Sequence, residues 1–147
     1  MSLPPPPEVS GYSLAGHEPY VISAEENRQL CQTLGVEPAA DGSAHPIFFF
    51  IATQVGMGET VAGLCAACDF DVADGPMMGA SRTTFSGVLQ TDQAYRVSGQ
   101  ILGLVRKPSR TFGAMDVLDY QLRLSLPDGT PVLETTNTWM LPRRNLA

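Results

Sequence analysis

The sequence Ala44-His45-Pro46-Ile47-Phe48-Phe49-Phe50-Ile51 opens a stretch that stays almost continuously apolar as far as Cys68. Pro46 suits the first turn of a helix, where its missing N–H is no loss. A helix that is apolar on nearly all its faces has to be surrounded by other parts of the protein. We therefore predict a long central helix that begins at Pro46, fades near Asp69 and is enclosed by the second half of the chain.

The second half of the chain has the two-residue period of β-strands. In residues 118–126, Tyr120 and four leucines alternate with polar residues. The turn sequence Pro127-Asp128-Gly129-Thr130 follows and predicts a hairpin with the next strand. The predicted strands are residues 84–90, 95–105, 118–126 and 132–141.

The first half of the chain contains weaker but specific signals. Residues 1–16 include four consecutive prolines and predict an extended arm. Tyr20-Val21-Ile22 fits a short strand, and Ser23 with Glu26 forms a capping box that predicts a helix over residues 24–34, ending at Gly35. Helices precede a meander of strands, so we predict an α+β fold, with one domain over residues 17–147 and an antiparallel sheet around the central helix.

Charge is unevenly distributed along this chain of 147 residues with net charge −6. Residues 1–80 contain ten acidic residues and one basic residue, Arg28, whereas residues 81–147 contain eight basic and five acidic residues. This balance argues against a nucleic-acid partner. An anionic ligand is expected to bind the second half.

Three cysteines, Cys31, Cys65 and Cys68, cannot all pair within one chain, which favours a reducing, cytoplasmic location. The proline-rich N-terminus does not have the pattern of a secretory leader. Gln54, Glu59 and the acidic flanks of the apolar stretch argue against a membrane span.

Two segments resemble the MaoC-like acyl dehydratase/hydratase family. The first is Thr84-Phe85-Ser86-Gly87-Val88-Leu89-Gln90 leading into Tyr95-Arg96-Val97-Ser98-Gly99-Gln100-Ile101, and the second is the terminal hairpin from Leu126 to Arg143. Ala44-His45-Pro46 stands where that family enters its central helix, and the match covers roughly residues 18–143. The resemblance implies a hot-dog fold, binding of an acyl-CoA or acyl-carrier thioester, and either a homodimer or a heteromer with a catalytic hot-dog subunit.

The family's catalytic pattern, Gly-Asp-x-Asn-Pro-x-His, is only partly present. Asp41 and His45 are the candidate catalytic pair, but no Asn-Pro lies between them and their spacing is one residue shorter than in the family. The alternative is a loop aspartate beside a histidine at a helix start. The resemblance therefore implies a non-catalytic or partner-dependent subunit of an enoyl-CoA hydratase or 3-hydroxyacyl dehydratase at least as strongly as a free-standing enzyme.

Arg106-Lys107-Pro108-Ser109-Arg110 is the densest basic segment. Arg106, Lys107 and Arg110 are candidates for binding the phosphates of coenzyme A or of a phosphopantetheine arm. A solvated turn, or an ion pair with an acidic surface, is the competing interpretation.

Cys65-Ala66-Ala67-Cys68 has the form of a redox or zinc motif, but no further donors have matching spacing. We interpret the two thiols as small buried apolar groups and predict neither a metal nor another cofactor. Two other functions stay open. One is a hot-dog thioesterase in which Asp41 or Glu59 activates water, and the other is a binding module without turnover.

Overall fold

The computed structural model describes residues 2–146. Five antiparallel strands form one sheet in the order β1-β3-β4-β5-β2, and three helices precede the long strands. The strands are β1 Tyr20–Val21, β2 Met77–Phe85, β3 Ala94–Ser109, β4 Gly113–Ser125 and β5 Pro131–Pro142. The helices are α1 Ala24–Leu34, α2 Phe48–Gly56 and α3 Val61–Ala67, with short 3-10 turns at Val72–Asp74 and Arg144–Leu146.

Helix α1 confirms the prediction for this segment, including both of its ends. The Ser23 hydroxyl accepts a hydrogen bond from the Glu26 N–H at 3.0 Å, as a capping residue does. Gly35 ends the helix with φ of 73°, a left-handed conformation that glycine adopts without strain. Both ends are fixed by local contacts, which is why a local sequence signal predicts them.

The central helix is broken, and the prediction of one helix from Pro46 to near Asp69 is wrong. Helix α2 ends at Gly56, and α3 starts again at Val61 with a bend of 62° between the two. Thr60 caps the new helix by accepting a hydrogen bond from the Gly63 N–H.

The N-terminal arm crosses this break and accounts for it. The Gly58 N–H donates to the Leu14 carbonyl at 3.0 Å, so a backbone group that would otherwise bond within a helix bonds to the arm. A Cβ atom at Gly58 would lie 2.1 Å from the Ala15 carbonyl oxygen, which only glycine avoids. The arm and the helix break are therefore one packing arrangement.

The arm also covers one edge of the sheet. The N–H groups of Gly11, Leu14 and Gly16 donate hydrogen bonds to backbone carbonyls of β3. The backbone carbonyl of Tyr12 accepts one from the Ile101 N–H. Leu14 is completely buried. Residues 11–16 thus satisfy part of the β3 edge, next to the two residues of β1.

The inner face of the sheet encloses one side of α2. On β4 the buried residues alternate, as predicted, and they are Ala114, Asp116, Leu118, Tyr120, Leu122 and Leu124. Phe48 and Ala52 of α2 are also fully buried. The opposite side of the helical region is open, since Val55 is 67% exposed. The sheet therefore surrounds the apolar stretch only in part.

The hairpin of β4 and β5 confirms the prediction made from the turn sequence, with Leu124 opposite Leu133. The strand predicted over residues 84–90 is wrong, because β2 runs from Met77 to Phe85. After Phe85 the chain leaves the sheet, and the Leu89 carbonyl accepts from the Ala44 N–H instead. Strand β3 is longer than predicted and has a bulge between Ile101 and Gly103.

The helix break gives a direct test of this packing. The substitution Gly58→Ala is expected to lower the free energy of unfolding by about 2 kcal/mol, because the new methyl group forces the arm away from the break. Urea denaturation measures this change. The matched control is Gly103→Ala, where a Cβ meets nothing within 4 Å and the change should stay within about 0.5 kcal/mol. Equal stability of the two variants would contradict the role given to the arm.

Candidate functional site

A row of polar side chains crosses the inner face of the sheet beneath α2. We call this row the polar seam, and its members are Gln54, Ser81, Tyr120, Asn137 and Trp139. Gln54 Nε2 donates to the Tyr120 hydroxyl, and the Ser81 hydroxyl donates to Asn137 Oδ1 at 2.7 Å. Tyr120 and Asn137 lie directly opposite each other on β4 and β5, and the Trp139 ring meets the Tyr120 ring edge-on with centroids 5.4 Å apart.

Three members of the polar seam are buried, and its hydrogen bonds are incomplete. Tyr120 and Asn137 are fully buried, and Trp139 is 6% exposed. Gln54 Oε1, Asn137 Nδ2 and Trp139 Nε1 have no hydrogen-bond partner. Burial raises the pKa of Tyr120, and its polar neighbours Gln54, Asn137 and Trp139 oppose that rise.

The two candidate catalytic residues are held by different partners. Asp41 is exposed, and its Oδ1 accepts from the Ser43 hydroxyl at 2.6 Å and from the Ser43 N–H at 3.0 Å. These bonds lower the pKa of Asp41. His45 is half-buried; its N–H donates to Asn27 Oδ1 at 2.8 Å, and its Nδ1 accepts from the Ile47 N–H at 3.1 Å.

These contacts limit what His45 offers in proton transfer. Because Nδ1 accepts a hydrogen bond, the neutral ring carries its proton on Nε2 and presents a donor rather than a base there. Among the hydrogen bonds and ion pairs of residues 2–146, none joins His45 to Asp41. The catalytic role of the pair stays a prediction.

Arg106 lies inside the fold rather than on a free basic surface. Its guanidinium bonds to Asp116 at 2.7 and 2.9 Å and to the carbonyls of Pro4 and Pro5 at 2.8 and 3.2 Å. Lys107 and Arg110 are exposed. The basic segment therefore presents two of its three cations outward, and their phosphate-binding role stays a prediction.

Asp116 is the centre of a buried ion network that the sequence analysis missed. It is fully buried and also accepts from Arg143 Nε at 2.8 Å. Arg143 donates to the carbonyls of Cys68 and Asp69 and lies over the Phe70 ring, 5.2 Å from its centroid. The network joins β4 to the end of α3. The available signal was the alternation of β4, which extends inward-facing positions from Leu118 back to Asp116.

The cysteines of the Cys-x-x-Cys motif are buried and free. Burial raises the pKa of Cys65 and raises that of Cys68 to about 11, so neither thiol is an activated nucleophile. Within the described part of the chain, no group of three or more His, Cys, Asp or Glu side chains is placed to hold a metal ion.

Within residues 2–146 the outer edge of β2 has no strand partner, and exposed apolar side chains lie at its two ends. Strand β2 pairs with β5 on one side only, and eight of its nine residues are exposed. The large exposed apolar side chains on and beside β2 are Met77, Met78, Phe85 and Val88. Phe85 reaches α2 through an edge-on contact with Phe49, with ring centroids 6.2 Å apart. This surface, β2 with Val88, is called the β2 edge below.

Of the helices in residues 2–146, none alone has both the length and the hydropathy to span a membrane. Helices α2 and α3 meet those criteria only as a pair that is bent by 62°.

Comparison with known proteins identifies the architecture. No protein-family model matches the sequence, and no curated protein shows significant similarity to it. A chain of the C-terminally truncated HadBC complex, a 3R-hydroxyacyl-ACP dehydratase of Mycobacterium tuberculosis, superposes with a TM-score of 0.68 at 16% identity over 90% of this chain and 96% of that one. The chain has the hot-dog fold.

Two further hot-dog structures are similar over most of their lengths. The MaoC-like dehydratase of Rhodospirillum rubrum gives a TM-score of 0.62 at 13% identity over 92% of this chain and 93% of that one. A hypothetical thioesterase of Streptococcus pneumoniae with coenzyme A gives 0.56 at 10% identity over 92% and 94%. The predicted α+β hot-dog fold is confirmed. These neighbours are named as dehydratases and as a thioesterase, so they show the fold and no single activity.

Measurements of protein stability distinguish the buried Arg106 from the exposed Arg110 of the basic segment. Arg106→Ala is expected to lower the free energy of unfolding by about 3 kcal/mol, because it leaves the buried Asp116 carboxylate with only one of its two cations. Arg110→Ala, which changes an exposed arginine, should stay within about 0.5 kcal/mol. Chemical denaturation measures both. An Arg106→Ala protein as stable as the unsubstituted chain would show that the ion network around Asp116 contributes little to the free energy of unfolding.

Proposed function

We propose that this hot-dog protein is an acyl-thioester-binding subunit of an enoyl-CoA hydratase or 3-hydroxyacyl dehydratase assembly, and that a second hot-dog subunit supplies the catalytic groups. The proposal requires neither a cofactor nor a nucleic-acid or membrane partner. The three free thiols fit a reducing compartment, and we include a cytoplasmic location in the proposal.

The bare β2 edge is the observation that carries this proposal. An exposed strand edge is a template for pairing with another chain, and proteins normally cover it. This chain covers the β3 edge with residues 11–16 and β1, but it leaves nine residues of β2 open beside exposed apolar side chains. A second subunit on β2 would satisfy both the open strand and the apolar surface. In this proposal that subunit is a catalytic relative, since another copy of this chain would bring no further catalytic groups.

The hydrogen bonds that already engage Asp41 and His45 support dependence on a partner. General acid–base catalysis needs both groups within hydrogen-bond reach of the same reacting atoms. Here Ser43 engages the Asp41 carboxylate, while the backbone of Ile47 fixes the His45 ring. The neighbouring HadBC structure is a complex named as a 3R-hydroxyacyl-ACP dehydratase, which fits an assembly of two hot-dog chains.

Binding of a thioester cofactor arm would use the exposed cations at the end of β3. Lys107 and Arg110 lie there and can form charge-assisted hydrogen bonds to phosphate oxygens. A neighbouring thioesterase structure contains coenzyme A, which supports ligands of this class.

Enzyme assays distinguish a subunit that needs a partner for activity from an enzyme that is active alone. The purified chain alone is expected to leave crotonyl-CoA unhydrated, because Ser43 engages the Asp41 carboxylate and the Ile47 N–H holds His45 Nδ1. The chain co-expressed with neighbouring reading frames should yield a stable heteromer that hydrates crotonyl-CoA, followed as loss of the enoyl absorbance. Turnover by the chain alone at a typical enzyme rate, about 1 per second or faster, would contradict the proposal.

A second candidate function is a thioesterase that uses Glu59. This residue lies in the break between α2 and α3, is half-buried, and accepts a hydrogen bond from the Tyr12 hydroxyl at 2.6 Å. The contact raises the pKa of Tyr12, which therefore stays a neutral donor that orients the carboxylate. Glu59 is thus positioned by a neighbour, as a general base is.

Release of free thiol from acyl-CoA tests this alternative. If Glu59 activates water, Glu59→Gln should reduce the rate about 100-fold or more, because the amide cannot accept the proton. Asp41→Asn serves as the matched control, since Ser43 already engages that carboxylate. A rate that falls only in Asp41→Asn would transfer the role to Asp41. Absence of thiol release from the unsubstituted chain would exclude the thioesterase.

A further inference from the structure

A row of apolar side chains crosses the outer face of the sheet, which is the face turned away from α2. Leu118 of β4 is buried on the inner face, so its neighbour Val117 points outward. The strand register places Val105, Val117, Met140 and Met77 side by side on β3, β4, β5 and β2. We call these four residues the outer row.

The outer row is accessible to solvent. Val105 is 54% exposed and Met77 is 42% exposed, while the other two members are half-buried. Leu102, beside the row on β3, is 43% exposed. The solvent side of an antiparallel sheet normally carries polar side chains, as β4 does further along at Asp119 and Arg123. A contiguous exposed apolar patch indicates a contact with another molecule.

The outer row is complementary to itself. A two-fold axis parallel to the strands, between β4 and β5, reverses the order of the row in a second copy. Val105 of one copy then lies opposite Met77 of the other, and Val117 lies opposite Met140. Each apolar side chain meets an apolar partner, as on the facing sides of a β-sandwich.

Two charges on the same face are complementary under the same axis. Arg82 on β2 and Asp119 on β4 line one groove beside the outer row. Within residues 2–146 neither forms an ion pair, and Asp119 accepts a hydrogen bond from the Thr138 hydroxyl. The two-fold axis sets Arg82 of one copy one strand and two residues from Asp119 of the other, an offset of about 8 Å that the long arginine side chain can cover.

The area of this face is sufficient for a specific contact. A face that is four strands wide and nine residues long, the length of β2, measures about 20 Å by 30 Å. Covering it on two copies removes about 1,200 Å² from solvent, the lower end of the range for specific interfaces.

We propose that the outer face of the sheet binds a second copy of this chain, with the two outer rows packed on each other and Arg82 of each copy paired with Asp119 of the other. This contact leaves the β2 edge free. It goes beyond the proposed function and does not depend on it. If both hold, the assembly contains two copies of each subunit.

Analytical ultracentrifugation of the purified chain alone tests the contact. The chain should sediment as a dimer with twice the chain mass of 15.7 kDa and a dissociation constant of about 10 μM or tighter. A chain that stays monomeric at about 100 μM would overturn the inference.

Substitution of two exposed valines locates the contact. Val105→Glu places a charge in the outer row and should weaken the dimer about tenfold or more. Val88→Glu is the matched control: it makes the same change at a 66% exposed valine of the β2 edge and should leave the dimer intact. Equal weakening in both variants, or weakening in Val88→Glu alone, would overturn the inference.

Exchange of charge tests the contact without disturbing the apolar row, and it decides if Val105→Glu does not fold. Arg82→Asp alone opposes acidic groups at both contacts of the dimer, and Asp119→Arg alone opposes basic groups, so each should weaken the dimer about tenfold. An equimolar mixture of the two variants has opposite charges at both contacts and should form the dimer again. A mixture as weak as either variant would overturn the pairing. Because no thioester or second subunit is present, failure of the hydratase proposal would leave these results unchanged.

Discussion

The structure depends on enclosing one apolar helical segment with a sheet that covers only one side of it. Phe48 and Ala52 of α2 are fully buried against the inner face of β4, where Leu118 and Leu122 are buried as well. Val55 on the same helix is 67% exposed. Burial of apolar area is the main stabilising term in folding, so the buried side of α2 stabilises the fold while its other side stays exposed.

The two edges of the sheet also differ, since one is covered by the chain itself and the other is open. The N-terminal arm pairs with β3 and enters the break between α2 and α3, where Gly58 lets its backbone approach. No comparable segment of residues 2–146 pairs with the outer edge of β2, which keeps one paired side and one open side. One edge is thus closed within the chain, and the other defines where a second hot-dog subunit would dock.

Local signals predicted the elements whose ends are set by local contacts. Ser23 and Gly35 bound α1, and Pro127-Asp128-Gly129-Thr130 sets the hairpin of β4 and β5, each within a few residues. The helix break was missed because it depends on a contact between Gly58 and Leu14, far apart in sequence. The start of β2 was missed because its residues are exposed on both faces and carry no apolar alternation.

The site shows the same division between local and distant information. The sequence singled out Asp41, His45, Arg106, Lys107 and Arg110 from motifs and charge, and the fold engages Arg106 with Asp116, ten residues away on the neighbouring strand. The polar seam joins Gln54, Tyr120 and Asn137 from three separate elements. Such a cluster exists only after the strands are in register. The resemblance to an acyl-thioester family predicted the fold correctly. The activity depends on side chains that only the folded chain brings together, so the resemblance does not determine it.

Amide hydrogen exchange across β2 tests the central claim most directly. If a second subunit pairs with this strand, the amides of Met77–Phe85 in the native assembly should be as strongly protected as those of β5, because both strands are then internal to a larger sheet. Fast exchange of the Met77–Phe85 amides, like that of an unpaired edge, in an assembly that contains both subunits would contradict the account.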